Sequence, residues 1–147
     1  MEVSELMLEK LKGFEGLSLK ACKAVKTEKY YTIGYGHYGA DVKKGAVITE
    51  EQAEELLRKD LKKFETFVNG LGVCRKQCQF DALVDFAYNA GMEALRKSTL
   101  LKYIRAGKGE AAIRGEFAKW VYSGGKKLGG LVKRRAWEAD RFFGKEA

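Results

Sequence analysis

The chain has 147 residues and a formal net charge of +8, and 46% of its residues are hydrophobic. This length and composition fit one folded domain with a buried core and exclude a disordered chain. The positive excess favours polyanionic partners, such as nucleic acid, anionic lipid or the acidic polymers of a bacterial cell wall. No apolar run is long enough to cross a bilayer, so we expect no stable membrane insertion.

The N-terminus and the cysteines indicate the compartment. The first residues alternate charge with hydrophobicity and lack the apolar core of a signal peptide, which predicts synthesis in a cytoplasm. The three cysteines are Cys22, Cys74 and Cys78. Their odd number and unpaired spacing predict reduced thiols. Two of them with one distant histidine do not make a zinc site, so we expect neither metal nor cofactor.

The first predicted element is an amphipathic helix that ends at Glu15. Ser4 is its candidate N-cap, and Gly16 is the candidate glycine that ends it. The macrodipole disfavours a negative charge at this end, so partial burial should raise the pKa of Glu15. A carboxylic acid that stays protonated near neutral pH is suited to general acid catalysis. The simpler alternative is a solvated glutamate at a helix end.

Residues 17–48 predict a small twisted sheet. Tyr31, Ile33, Tyr35 and His37 alternate with smaller residues, and 46–48 predict the last short strand. The segment 34–39 matches a dinucleotide-binding pattern, but no helix opens on its third glycine, so we reject that reading. Its glycines more simply allow close approach of the backbone. His37 is the only histidine, and a structural hydrogen bond is its commoner role.

Helices are predicted from residue 49 to the end of the chain. Thr49 and Gln52 form a capping box that starts a long helix over about 49–70, whose apolar stripe is broken only by Asp60. A helical lobe follows over about 73–145. The predicted fold class is α+β, mostly helical, with a small N-terminal sheet lobe joined by the long helix to a C-terminal helical lobe. We expect a cleft between the lobes, with Glu15 at its edge.

A basic run near the C-terminus leaves two interpretations open. Arg134 and Arg135, which follow Lys133, either contact an acidic substrate or phosphate, or tie a terminal helix to neighbouring acids. No helix-turn-helix, RNA-binding or zinc-finger motif accompanies the positive charge, so we expect no nucleic-acid partner.

The motifs of the whole chain, taken in order, resemble those of the phage-type lysozymes, which are small endolysin muramidases. The matching segments are Phe14-Glu15-Gly16-Leu17, Tyr31-Thr32-Ile33-Gly34-Tyr35-Gly36-His37, Gln79-Phe80-Asp81-Ala82-Leu83-Val84-Asp85-Phe86-Ala87-Tyr88-Asn89, Ser98-Thr99-Leu100-Leu101, Phe117-Ala118-Lys119-Trp120 and Gly130-Leu131-Val132-Lys133-Arg134-Arg135. The resemblance implies a single lysozyme-like catalytic domain over 1–147 that hydrolyses the β-1,4 bond between N-acetylmuramic acid and N-acetylglucosamine in peptidoglycan.

The resemblance also implies catalytic roles. Glu15 matches the family's general acid and Thr32 its threonine, but Ala24 stands where the family has Asp or Cys. Glu28 is the only other acid between Glu15 and Thr32, so we hypothesise that it supplies the second carboxylate. Asp41 is the reserve candidate, and a loop glutamate paired with a neighbouring lysine is the structural alternative for Glu28.

Substrate contacts and cellular setting complete the expectations. Tyr35 and His37 are the candidate substrate-binding residues, and Tyr30, Tyr31 and Tyr38 offer further aromatic surface for sugar rings. We expect a monomer that waits in a host or bacterial cytoplasm before it reaches the wall. The missing acid at Ala24 motivates one alternative, a wall-binding descendant without catalysis.

Overall fold

The computed structural model describes residues 1–145, and these divide into two compact units. The sheet unit is Leu8–Lys63, and the helical unit combines Met1–Met7 with the chain from Phe64 onward. Residues 146 and 147 of the predicted domain lie outside the described residues. The fold class predicted from the sequence is confirmed, since helices predominate and a small antiparallel sheet lies near the N-terminus.

Three strands form the sheet of the sheet unit, in the order β1-β2-β3 with antiparallel neighbours. They are β1 (Ser18–Cys22), β2 (Tyr31–Gly34) and β3 (His37–Gly39). The alternating run from Tyr31 to His37 is therefore two strands, joined by a tight turn at Tyr35 and Gly36. Gly34 and Gly36 adopt φ of +67° and +83°, which residues with a side chain rarely do, so the glycines are needed to reverse the chain.

The strand predicted over 46–48 is reduced to an isolated bridge between Val47 and Lys20. The peptide N–H of Ala21 donates to the carbonyl of Ala46 at 2.9 Å, so the segment still lies along β1. It then leads into the next helix.

Two helices contribute residues to both units, namely α1 (Glu5–Glu15) and α2 (Glu50–Leu71). The capping box predicted for α2 is confirmed, because the Gln52 N–H donates to the Thr49 hydroxyl at 3.1 Å and the Thr49 N–H donates to the Gln52 side chain at 2.9 Å. This reciprocal pair satisfies two peptide groups that the first turn would otherwise leave without partners.

The remaining elements belong to the helical unit. They are α3 (Gln77–Ala90), α4 (Met92–Lys97), α5 (Thr99–Arg105), α6 (Glu110–Ala118), β4 (Tyr122–Ser123), β5 (Lys126–Lys127) and α7 (Gly129–Phe142). The core is aromatic: the ring of Phe86 lies edge-on to Phe117 and Trp120, with centroids 6.0 and 5.4 Å apart. The β4–β5 hairpin lies between α6 and α7, where the sequence analysis predicted no strand. None of the helices described within 1–145 is long and apolar enough to span a bilayer.

One buried ion pair and one side-chain hydrogen bond join α3 to α7 and explain the basic run. The Arg134 guanidinium donates to both oxygens of Asp85 at 2.7 and 3.0 Å. Arg135 donates to Asn89 at 2.6 Å and to Glu138 at 3.0 Å. The side chains of Asp85, Arg134, Arg135 and Glu138 are all buried. The two arginines therefore hold the last helix against α3, and the interpretation that they contact an acidic substrate is wrong.

Candidate active site

Glu15, the predicted general acid, is the last residue of α1 and is half-buried. The helix ends there because Gly16 turns to φ +72°, while its N–H still donates to the carbonyl of Lys12 at 2.9 Å. The predicted position of Glu15 at a helix C-terminus is confirmed. Its catalytic role stays a prediction.

Thr32 lies at the centre of the small sheet. Its register partners are Tyr38 on β3 and Cys22 on β1. Because partners directly opposite each other project to the same side, these three side chains share one face of the sheet. Tyr38 is 46% exposed, so this face is open beside Thr32.

His37 lies on the opposite face of the same sheet. It is paired in register with Ile33, which is adjacent to Thr32 and therefore points the other way. Ile33 is buried and His37 is largely buried. The structure thus separates two predicted site residues, with Thr32 on the open face and His37 on the packed face.

Two carboxylates hold the His37 ring. Its Nδ1 lies 2.7 Å from Asp60 of α2, and its Nε2 lies 2.8 Å from Asp41. Both ring nitrogens can donate to carboxylates only when the imidazole carries its second proton. Burial lowers the pKa of His37, but the hydrogen bonds and charges of Asp60 and Asp41 outweigh burial and raise it above 6.5. The hydrogen bond from His37 in turn lowers the pKa of Asp41.

Asp60 is a contact of the predicted site residue His37 that the sequence analysis did not identify. The available signal was its position as the only polar interruption of the apolar stripe of α2. The structure explains that interruption, since the carboxylate turns inward to meet His37. Asp41, the reserve catalytic candidate, is bound to the same histidine.

Glu28 lies in the loop between β1 and β2, as does the exposed Ala24. The Glu28 N–H donates to the carbonyl of Val25 at 3.1 Å, which closes a turn. The Val25 N–H donates back to the Glu28 carboxylate at 3.0 Å. The loop therefore fixes the orientation of a half-buried carboxylate. Its contact is to the backbone, not to Lys26 or Lys29 as the structural alternative supposed.

The tyrosines divide into a buried and an exposed set. Tyr35 is only 8% exposed and lines a cavity of about 440 Å³ together with Lys12 and four glutamates, which are Glu50, Glu51, Glu54 and Glu55. Lys12 is ion-paired with Glu54 and lies 5.6 Å from the centre of the Tyr35 ring. Packing and cation–π contact thus account for Tyr35, and its predicted substrate contact stays untested.

Tyr38 presents the more accessible ring. It packs edge-on against Tyr30 with centroids 5.5 Å apart, and the Tyr30 N–H donates to the Tyr38 hydroxyl at 3.2 Å. Both contacts hold the ring in place beside Thr32. Among residues 1–145, no three metal-binding side chains converge here or elsewhere.

Comparisons with known proteins agree on one family. The model of the phage lysozyme family matches residues 12–138. The endolysin of Bacillus phage B103 is 55% identical over 144 residues, which cover 97% of this chain and 54% of that protein. The endolysin of Acyrthosiphon pisum secondary endosymbiont phage 1 is 40% identical, with 97% of this chain and 98% of that protein covered.

A solved structure of an endolysin is similar to this chain as well. The endolysin from Escherichia coli O157:H7 phage FAHEc1 superimposes with a TM-score of 0.84 at 39% identity, covering 97% of this chain and 93% of that one. The chain spans about half the length of the Bacillus phage endolysins that it matches.

Proposed function

The chain belongs to the phage lysozyme family, and from that premise we propose that it hydrolyses the β-1,4 bond between N-acetylmuramic acid and N-acetylglucosamine in bacterial peptidoglycan. The observation that carries the proposal is Glu15 at the C-terminal end of α1, in the same unit as an open sheet face that centres on Thr32. This combination supplies an acid and a polar, aromatic surface for a saccharide.

Glu15 is the general acid of the proposed reaction. Its proton passes to the oxygen of the scissile glycosidic bond, so that the leaving sugar departs as an alcohol and the bonding electrons leave with it. Positive charge then develops at the anomeric carbon of the remaining sugar. Water completes hydrolysis by adding to that carbon and losing a proton.

Glu28 is the proposed second carboxylate, in place of the acid missing at Ala24. A carboxylate in this role stabilises the developing positive charge, or positions the attacking water and accepts its proton. The hydrogen bond from the Val25 N–H supports the assignment, because it holds one oxygen of Glu28 in a fixed direction. Thr32 would orient the same water through its hydroxyl.

Tyr38 is proposed to contact the saccharide directly. Its exposed ring lies on the face of Thr32 and is held by Tyr30. The apolar face of a pyranose packs well against such a ring, while the sugar hydroxyls stay solvated. Tyr38→Ala should raise KM more than it lowers kcat, and Tyr38→Phe should retain most binding because the ring remains.

The first test compares Glu15→Gln with Glu9→Gln in a wall-turbidity assay. Both glutamates lie on α1, but Glu9 is exposed, and its ion pair within residues 1–145 is with Lys12 on the same helix. Loss of a general acid lowers rates by roughly 100- to 10,000-fold. We expect that loss for Glu15→Gln and near wild-type lysis for Glu9→Gln. Equal lysis by both variants would remove Glu15 from the mechanism.

The second test locates the other carboxylate. Glu28→Gln should abolish most lysis, whereas Asp41→Asn should mainly alter the contact with His37. Lysis at the wild-type rate by Glu28→Gln, with loss in Asp41→Asn, would transfer the role to Asp41. Thr32→Val keeps the side-chain shape and removes the hydroxyl, so its loss of rate measures the hydroxyl alone.

Because Ala24 stands where the family has Asp or Cys, a protein that binds the wall without cleaving it is the alternative to be tested. Co-sedimentation of the wild-type chain with walls, without any lysis, would identify a wall-binding protein. The net charge of +8 concentrates the chain on anionic walls in either case, and that attraction should weaken as salt rises.

The oligomeric state of the chain and its location before release are also part of the proposal. We propose a monomer that waits in a host or bacterial cytoplasm and reaches the wall after release. Sedimentation of the purified chain tests the first point, and fractionation of producing cells before lysis tests the second.

A further inference from the structure

The β4–β5 hairpin projects a continuous exposed segment from the helical unit. Tyr122 pairs with Lys127 and Ser123 with Lys126. Gly124 and Gly125 form the turn at φ of +59° and +79°, a conformation that gives a tight two-residue loop. Every residue from 122 to 130 is exposed. The segment is therefore ordered by its own ladder while its side chains face solvent.

Three apolar side chains are exposed at this hairpin and the start of α7. Tyr122 is 61% exposed, Leu128 39% and Val132 38%. The Val132 N–H donates to the carbonyl of Leu128, so these two residues are one helical turn apart on the same side. Lys127 and Val132 line one cavity of about 260 Å³, which places the hairpin beside that helical turn. Tyr122 lies opposite Lys127 in the ladder, so the three apolar side chains flank one short segment made of the hairpin and the first turn of α7.

The same segment carries uncompensated positive charge. Between Phe117 and Trp137 the sequence contains six basic residues and no acidic one. The six are Lys119, Lys126, Lys127, Lys133, Arg134 and Arg135. The two arginines are buried in their ion pairs, and Lys119 pairs with Glu116. Lys126, Lys127 and Lys133 are exposed, and within residues 1–145 none of them forms an ion pair.

We propose that this hairpin surface adsorbs the chain to an anionic lipid bilayer. The hairpin surface is defined by Tyr122, Lys126, Lys127, Leu128, Val132 and Lys133. Its charge complements anionic headgroups, each lysine contributing to attraction at a negatively charged membrane. Its exposed tyrosine and aliphatic side chains suit the boundary between headgroups and acyl chains, which a hydrated polyanion does not offer. The binding is peripheral and does not rest on the proposed glycosidase activity.

The first experiment measures sedimentation of the full chain with vesicles of phosphatidylglycerol and phosphatidylcholine, and with vesicles of phosphatidylcholine alone. Binding is expected only to the anionic vesicles. Each lysine removed from the surface should weaken binding about fivefold. The double variant Lys126→Gln/Lys127→Gln should therefore bind about 25-fold more weakly. The control Lys26→Gln/Lys44→Gln removes the same charge from exposed positions of the sheet unit and should lose far less.

Equal weakening by the two double variants would overturn the proposal, because net charge alone would then explain the binding. Failure of the wild-type chain to sediment with anionic vesicles would overturn it as well. The changed side chains are all exposed, so thermal unfolding of each variant should match the wild type and exclude misfolding as the cause.

The second experiment separates a bilayer from a hydrated polyanion. Tyr122→Ser/Leu128→Ser should weaken vesicle binding by about tenfold, because apolar area no longer leaves water. The control Leu6→Ser/Val47→Ser changes two side chains that are exposed elsewhere and should bind as the wild type does. If Tyr122→Ser/Leu128→Ser binds vesicles as tightly as the wild type, the lysines bind a hydrated polyanion and the hairpin surface is not a membrane-binding surface.

Discussion

Two glutamates of the sheet unit and one cluster of charged residues in the helical unit differ in how deeply they are buried. In the sheet unit, Glu15 and Glu28 are half-buried at the end of a helix and in a loop, where solvent reaches them. In the helical unit, Asp85, Arg134 and Glu138 are buried and bind one another or their neighbours. Accessible charges can serve chemistry, whereas these buried charges fix how α3 and α7 pack. Burial, and not residue type, separates the two roles.

The largest effect should come from breaking the buried pair of Asp85 and Arg134. Asp85→Ala leaves the guanidinium in the core without its carboxylate, a change that costs about 3–5 kcal/mol of the free energy of unfolding. Chemical denaturation measures the loss. Glu93→Ala breaks the fully exposed pair of Glu93 with Arg96 and should leave that free energy nearly unchanged. Similar losses in both variants would contradict the distinction between buried and exposed charge.

The next effect concerns Glu138 and the pH dependence of stability. Burial, together with the nearby Asp85 carboxylate, raises the pKa of Glu138 well above its ordinary value. Folded chains then hold a proton that unfolded chains release, so stability falls as pH rises from the unfolded pKa of about 4.3 toward the folded pKa. Glu138→Gln should lack this fall and gain stability relative to the wild type as pH rises. A large loss of stability at neutral pH in Glu138→Gln would show instead that Glu138 is ionised in the folded chain and pairs with Arg135.

A smaller effect on the pH dependence of stability is expected at His37. Because Asp60 and Asp41 raise its pKa, its contribution to stability is fully present below about pH 6.5 and is lost as pH rises through the folded pKa. His37→Asn should cost about 1–2 kcal/mol in mild acid and less at high pH. Thermal unfolding across this range measures the difference. A cost that does not change with pH would show that the ring packs but does not carry charge.

The smallest expected effect is a difference in the rates at which the thiols of Cys22 and Cys74 are alkylated. Burial, with a further contribution from Cys78, raises the pKa of Cys74 to about 11, whereas Cys22 is exposed. Iodoacetamide near neutral pH should therefore label Cys22 first and Cys74 last, as peptide mass analysis can follow. Labelled Cys22 should also slow wall lysis, because it is the register partner of Thr32. Early labelling of Cys74 would contradict its burial.

Local signals in the sequence predicted the ends of helices well. The capping box at Thr49 and the glycine after Glu15 depend on residues within a few positions, so both can be recognised from a single sequence. Ser98 caps α5 through the same kind of local contact, with its hydroxyl accepting from the Leu101 N–H at 3.0 Å. The general architecture followed from such boundaries and from apolar periodicity.

Contacts between distant residues could not be predicted in the same way. Asp60 meets His37 across 23 positions, and Arg134 meets Asp85 across 49, so nothing in the local pattern identifies either partner. The hairpin at 122–127 was missed because its strands are two residues long and alternate too briefly to signal a sheet. Its Gly124-Gly125 turn was the one available indication.

The chemistry of the products shows whether the sheet unit carries a hydrolytic glycosidase centre. Purified peptidoglycan should be digested with the wild-type chain and with Glu15→Gln, and the fragments analysed by mass. We expect fragments that gain one water and end in reducing N-acetylmuramic acid, and we expect Glu15→Gln to produce none of them. Fragments closed by an internal anhydro ring, reducing N-acetylglucosamine ends, or unchanged cleavage by Glu15→Gln would exclude a hydrolytic muramidase that depends on Glu15.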